Sequence, residues 1–178
     1  MKFASWNINS INLRKEVVLN WIIENSIDVL GLQEIKCENE KFPKDFFQEK
    51  GYFTEVIGQK SYNGVAIISK YPIHLSKSSI PNLKEEEPQA RYIEVEINNF
   101  IFTSIYVPNG NPIETSKFDY KKLWLDCLIK HSNDLLEFEK PVILAGDFNV
   151  IPDTLDCWDE NVWENDALAL PIIRKKFR

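Results

Sequence analysis

The chain reads as a layered α/β fold with mixed sheets, and three stretches carry that reading. Residues 2–8 (KFASWNI), a helical stretch to about Asn25 and the run Val29-Leu30-Gly31-Leu32 make a strand–helix–strand unit of the kind that pairs within one sheet. Strand-like runs then cluster between Tyr52 and Val107 with no helical pattern among them. A long helical stretch finally leads into Pro141–Val150 (PVILAGDFNV), an apolar run closed by Gly146. Strands gathered in the middle, with helices held apart, argue for packed layers rather than continuous βα alternation.

Taken in order, the first strand puts Phe3, Ser5 and Asn7 on one face and Ala4, Trp6 and Ile8 on the other, because side chains alternate with period 2. Ser10 or Asn12 is placed to cap the helix that follows, with its apolar stripe expected at Leu13, Val17 and Trp21 beside Val18 and Ile22. The run 29–32 ends in Gln33-Glu34. Asn7 and Glu34 are therefore delivered to the same carboxyl-terminal edge, where open α/β sheets place ligands. A short helix over Pro43–Lys50 stops at Gly51. Tyr52–Ile57 and Gly64–Ser69 read as strands joined by the turn-rich GQKSYN.

Residues 76–89, with Pro81, Pro88, three serines and the acidic run Glu85–Glu87, read as a loop whose acids form solvated surface. Arg91–Ile97 and Phe100–Val107 flank Asn98-Asn99, a hairpin signal, and the second strand brings Tyr106 up to Pro108-Asn109-Gly110-Asn111. A helix over Ser116–Glu139 has Leu123, Trp124, Cys127, Leu128, Leu135 and Leu136 as core candidates and Asn133-Asp134 as a break. Val142–Ala145 reads as a fully buried strand, with Val142 and Ile143 supplying branched side chains. Beyond it Asp147 and Asn149, two residues apart, can share one face if the backbone stays extended. A Pro/Asp-rich loop over 152–159 and a helical tail ending in Arg174-Lys175-Lys176-Phe177-Arg178 complete the chain.

The totals bound the function. With 178 residues, no repeat and no linker, one domain over 1–178 is expected. At 44% hydrophobic and 27% charged, the composition is that of an ordered globular protein. A net charge of −6 argues against nucleic-acid binding by bulk charge, but not against a nucleic-acid enzyme whose cation supplies local positive charge. Cys37, Cys127 and Cys157 are too far apart for a zinc module or a disulfide framework, and a reducing compartment fits. No run reaches membrane-spanning length and the N-terminus lacks a signal-type apolar segment, so a cytoplasmic protein without membrane partners is expected.

The chemistry lies where the strands end. Asp and Asn after a strand often do no more than make a turn, and a buried tyrosine commonly finds a backbone partner. Here Asn7, Glu34, Tyr106 and the Asp147/Asn149 pair all stand at strand termini, and the recurrence carries the hypothesis. Oxygen donors with one or two carboxylates are what Mg²⁺ takes, alongside water and substrate phosphate. Glu34 is the first ligand candidate, with Asn7 beside it. Asp147 is suited to bind the cation or take a proton from water, Asn149 to donate to a phosphoryl oxygen, and Tyr106 to supply a phenolic donor.

The stretches WNINS (6–10), LQEIK (32–36), GQKSYNGVAI (58–67), YVPNG (106–110) and GDFNV (146–150) occur in an order that resembles the exonuclease III family of AP endonucleases, within the endonuclease/exonuclease/phosphatase superfamily. LQE and GDFN mark the superfamily broadly; GQKSYNGVAI with YVPNG points to its DNA-repair branch. The resemblance implies a four-layer αββα sandwich. It also implies Mg²⁺-dependent (alternatively Mn²⁺-dependent) hydrolysis of DNA phosphodiesters, on double-stranded DNA with abasic sites or at 3′ ends. Carried over by motif, Asn7, Glu34, Asp147 and Asn149 belong to the metal site. Tyr106, Asp147 and Asn149 are catalytic, and Asn109, Lys36 and Arg91 contact substrate phosphate.

One departure qualifies this. The family's later part, with a terminal Ser-Asp-His motif, has no counterpart here, and neither His74 nor His131 has that motif's context. The sandwich is thus expected to be incomplete at its C-terminal end. Each lost contact would lower the rate by ~10²–10⁴-fold, and open strand edges would favour aggregation. A separately encoded C-terminal fragment is one partner this suggests. A non-catalytic remnant with weak DNA or partner binding is the alternative expectation, and a lipid or inositol phosphatase is disfavoured by the two narrower motifs.

Overall fold

The structure is a computed structural model that describes residues 1–84 and 88–178; the acidic run expected as solvated surface lies outside the described residues. It divides into two compact units, one of Met1–Ser79, Glu85–Tyr106 and Phe138–Asp147, the other of Ile80–Lys84, Val107–Glu137 and Phe148–Arg178.

In the first unit β1 (Phe3–Asn7), α1 (Lys15–Glu24) and β2 (Val29–Gln33) form the expected strand–helix–strand unit, with β1 and β2 parallel and Asn7 opposite Gln33. After a 3₁₀ turn and the short helix α2 (Lys44–Gln48) come β3 (Phe53–Ile57) and β4 (Val65–Ser69), which pair antiparallel; β4 also pairs antiparallel with β2. The sheet order is β1-β2-β4-β3. The second sheet holds β5 (His74–Lys77), β6 (Tyr92–Ile97), β7 (Phe100–Tyr106) and β8 (Val142–Asp147), in that order. The β6–β7 hairpin turns at Asn98, which takes φ +53°, and β8 lies parallel to β7.

Period-2 alternation sorts the side chains into two cores. Leu30, Leu32, Ala66 and Ile68 join Val18, Ile22 and Phe47 on the helix side of the first sheet. Val29, Val65 and Ile67 join Ile93, Val95, Ile97 and Phe102 in the other core, which places the sheets face to face. Strands β2 and β4 are buried along their whole length because both faces are covered. Each fully buried aliphatic side chain there contributes roughly 1.5–3 kcal/mol. The sheets approach closely at Gly31, where an added Cβ would lie 3.2 Å from the Cβ of Ser104. Below the ends of these strands the buried Gln33 donates to Ser104 (2.8 Å) and Ser5 (3.1 Å), and Ser104 donates to the Leu32 carbonyl (2.8 Å). A satisfied polar group between two sheets fixes their register.

Several expectations need correction. Helix α1 starts at Lys15 without a side-chain cap from Ser10 or Asn12, so Leu13 precedes the helix and is 80% exposed. Val17 is also exposed, and the buried stripe is Val18, Leu19 and Ile22. Ser76-Lys77 belong to β5, an irregular edge strand with a register shift against β6, rather than to a loop. The run expected to be a fully buried strand, β8, is only half-buried throughout; among the described residues it pairs with β7 alone, and a strand with one open side keeps solvent access. Gly146 continues β8 instead of closing it, and a side chain there would place Cβ 2.1 Å from the Ile105 carbonyl oxygen.

The second unit contains α3 (Ser116–Leu136), α4 (Glu160–Trp163) and α5 (Pro171–Phe177), with α3 against α5. Lys176 pairs with Asp126, and Phe177 meets the Phe148 ring edge-on at 5.4 Å. Helix α3 runs unbroken through Asn133 and Asp134, which are exposed and so leave the backbone ladder undisturbed. Its buried face is Lys121, Trp124, Leu125, Cys127, Leu128, His131 and Leu135; Leu123 and Leu136, expected in the core, are exposed. Of the four layers expected, the first unit holds helix, sheet and sheet, and the later helices belong to the second unit. No helix among the described residues is long and apolar enough to cross a membrane.

Candidate active site

Four of the strand-end groups meet in the first unit. β1 and β2 are parallel neighbours, so Asn7 and the residue after Gln33 leave the sheet side by side. β7 and β8 are parallel neighbours in the second sheet, with Tyr106 opposite Asp147. The Asn7 carboxamide nitrogen donates to Glu34 Oε1 at 2.8 Å and to Asp147 Oδ2 at 2.9 Å. The Tyr106 hydroxyl donates to the same Glu34 Oε1 at 3.0 Å. A carboxamide with both N–H groups between two carboxylates holds like charges together that would otherwise repel. Asn7 thus faces the carboxylates with its nitrogen, not its oxygen.

Glu34 reaches this position because the chain bends sharply after β2. Its φ is +52°, in the left-handed region that disfavours side-chain-bearing residues by about 1–2 kcal/mol, and Lys36 repeats it at +53°. Such conformations persist where surrounding contacts over-determine them. Here Ile35 between them is fully buried, and the backbone amides of Ile35 and Lys36 donate to the carbonyls of Gly64 and Asn63. The LQEIK and GQKSYNGVAI stretches are therefore tied to each other.

The electrostatics follow from these contacts. Burial pushes the Glu34 carboxyl toward its neutral form, but hydrogen bonds from Asn7, Lys36 and Tyr106 outweigh it and hold the group below the usual glutamate range. Lys36 Nζ lies 3.0 Å from Glu34 Oε2 and 2.6 Å from Asn9 Oδ1. Burial and the adjoining Glu34 carboxylate push the Tyr106 phenol up to about 12. Near neutral pH the cluster therefore presents an ionised glutamate and a phenol that keeps its proton.

Arg91 is seated against Tyr106, its guanidinium 4.7 Å from the ring centroid, with Nε donating to Gln89 Oε1 at 2.7 Å. Asn63 Nδ2 donates to Gln59 Oε1 at 2.9 Å and to Gln89 Oε1 at 3.4 Å. The GQKSYN turn thereby reaches Arg91 through its amides. Gln59, Asn63 and Gln89 are absent from the residues singled out in the sequence; Gln59 and Asn63 lie in the GQKSYN turn and Gln89 at the end of the 76–89 loop, and nothing local marks them as partners of Arg91.

The remaining predicted residues lie in the second unit. Asn109 is exposed, its Oδ1 accepting from the Asn111 amide at 3.1 Å. Asn149, at φ +47°, donates through Nδ2 to the Val107 carbonyl at 2.8 Å. Lys121 is fully buried and its ammonium donates to the Asn109 and Asn149 carbonyls at 2.9 and 2.6 Å. That lysine also escaped the sequence reading, although it sits three and four residues before Trp124 and Leu125, on the buried face of α3.

The donor set suits a hard divalent cation: an ionised carboxylate, a second carboxylate on the same amide, and no sulfur or imidazole. Among the described residues no group of three or more His, Cys, Asp or Glu side chains assembles.

Two facing mixed sheets with an acid–amide–phenol cluster at their strand ends define a layered α/β protein with a cation-compatible polar site. The comparison with protein families narrows this: residues 4–166 match the Endonuclease/Exonuclease/phosphatase family, and the chain belongs to that family. It is 32% identical over 168 residues to exodeoxyribonuclease III of Haemophilus influenzae, covering 90% of this chain and 62% of that protein. Among solved structures it resembles the 3′ phosphatase NExo from Neisseria bound to product DNA hairpin, with a TM-score of 0.92 at 33% identity, covering 99% of this chain and 68% of that one. An AP endonuclease from Archaeoglobus fulgidus gives a TM-score of 0.91 at 32% identity, with coverages of 99% and 68%. The chain spans between half and two thirds of the length of the curated relatives it matches.

Proposed function

We propose that the chain carries the phosphate-hydrolysing centre of an exodeoxyribonuclease III or AP endonuclease type enzyme, acting on DNA phosphodiesters at abasic sites or 3′ ends. The observation that carries this reading is the bridging of Glu34 and Asp147 by one carboxamide, with the Tyr106 hydroxyl on the same glutamate. Two relatives of similar sequence, one an exodeoxyribonuclease III and one an AP endonuclease, support the substrate class.

Glu34 and Asp147 would hold the cation, with Mg²⁺ or Mn²⁺ as candidates. When bound, such an ion neutralises phosphate charge and polarises the phosphoryl oxygen. Asn7 keeps both carboxylates aimed at one point. Asp147 orients the attacking water and accepts its proton. Tyr106, protonated across the physiological range, turns its single O–H from Glu34 toward the phosphate or the departing oxygen. Arg91, stacked on the Tyr106 ring, and Lys36 supply cationic phosphate contacts, and on their motifs Asn109 and Asn149 supply amide donors. Lys36 has to exchange Glu34 for phosphate in order to act so.

The test is nicking of an abasic-site duplex by this chain with Mg²⁺ or Mn²⁺. Metal-dependent nicking that Asp147→Ala abolishes supports the reading. No nicking above a heat-killed control, with either ion, overturns it.

A further inference from the structure

We infer that Lys121 is a positioning residue: its buried ammonium clamps the loop of Asn109 to the loop of Asn149 and sets the pose of both carboxamides. The inference rests on the reading that these amides serve phosphate. Lys121 is fully buried on α3, and lysine is almost never fully buried unless its charge is met. Its ammonium donates to the backbone carbonyls of the two asparagines, at 2.9 and 2.6 Å. A second tie joins the same loops, from Asn149 Nδ2 to the Val107 carbonyl at 2.8 Å. The lysine stem is itself packed: a Cβ added at Gly110, which has φ +88°, would lie 2.6 Å from Lys121 Cδ. Glycine at 110 is thus what lets the YVPNG turn lie against the lysine. A point charge with three donors, gripping carbonyls from two loops, fixes backbone rather than touching substrate.

The experiment compares the unmodified chain with Lys121→Met, which keeps the stem and loses the donors, and Lys121→Arg, which keeps the charge. Amide hydrogen exchange is read over residues 107–111 and 148–151, with 29–33 and 101–105 as reference. We expect exchange at least 10-fold faster in both loops of Lys121→Met, with the reference strands unchanged, and most of the protection restored by Lys121→Arg. On an abasic duplex, Lys121→Met should lower kcat by 10-fold or more while KM moves less than 3-fold, with partial rescue by arginine. If Lys121→Met does not fold, Lys121→Gln takes its place with the same expectation. Unchanged exchange in the two loops overturns the clamp whatever the activity. Faster exchange with kcat unaltered upholds the clamp and overturns its role in positioning. Faster exchange with no cleavage by the unmodified chain upholds the clamp and overturns the proposed function.

Discussion

The two units hold their polar groups by different means. In the first, Asn7, Glu34, Asp147 and Tyr106 bond side chain to side chain. Each is fixed by a strand terminus, so the cluster inherits its geometry from strand register. In the second, Asn109 and Asn149 sit on loops, and what holds those loops is a buried cation bonded to main-chain carbonyls together with an amide bonded to Val107. The first arrangement can exchange partners with a cation or a phosphate without disturbing the backbone. In the second the bonds are to backbone, so losing a partner loosens a loop that other bonds, such as Asn111 to Asp166, still tether. Substitutions in the first should therefore alter chemistry more than stability, and substitutions at Lys121 should do the reverse.

The sharpest break of this contrast is Asp147→Ala. It should lower cleavage by at least ~10³-fold, in the range for loss of a general base or key electrostatic contact, while the thermal midpoint moves little. A fall in stability as large as the fall in rate would erase the distinction. Next comes Lys121→Met, which takes the lysine's donors from two carbonyls; at roughly 1–3 kcal/mol for each, a loss of about 2–6 kcal/mol is expected in urea unfolding. A cost below about 0.5 kcal/mol would show that the lysine bears no such load.

Asn7→Ala ranks third, and it sharpens the comparison through pH. With the shared amide gone, the Glu34 carboxyl should rise from its lowered position, and the change should be visible as a shift in its carboxyl NMR titration. The sign is fixed: a depressed folded value adds stability above the ordinary glutamate range of about 4.3 that is lost as pH falls through the lowered one. Asn7→Ala should therefore lessen the acid sensitivity of unfolding. An unmoved titration would show that the amide does not hold Glu34. Tyr106→Phe is the mildest. It removes one hydrogen bond, about 1 kcal/mol, or under 10-fold in rate. Because the folded phenol is raised to about 12, its contribution is full below the ordinary tyrosine value of about 10 and is lost as pH climbs from there. The variant should lose that alkaline step, and its persistence would remove Tyr106 from the account.

What the sequence made legible followed from period and punctuation. The βαβ start, the hairpin at Asn98-Asn99 and the strand-end positions of Asn7, Glu34, Tyr106 and Asp147 were all readable, because apolar runs and turn residues bound them. Burial was less so. An apolar run such as Val142–Ala145 looks the same in the centre of a sheet and at its edge, and pairing decides which it is. On α3 the expected core at Trp124, Cys127, Leu128 and Leu135 is buried, whereas Leu123 and Leu136 lie off that register, and Lys121 shares the buried face without any local pattern to mark it. The end of β5, Ser76-Lys77, escaped because HLSK offers one apolar side chain. The bonds that seat Arg91 depend on tertiary placement of three amides that no local pattern marks.

The most direct measurement is a calorimetric titration of Mn²⁺ into the purified chain and into Glu34→Gln, each checked for folding by circular dichroism. The account predicts saturable binding of one ion to the unmodified chain, weakened at least 10-fold in the variant. Equal affinity in both proteins, or no binding to the unmodified chain, would contradict the claim that Glu34 and Asp147 are gathered around Asn7 to receive a cation.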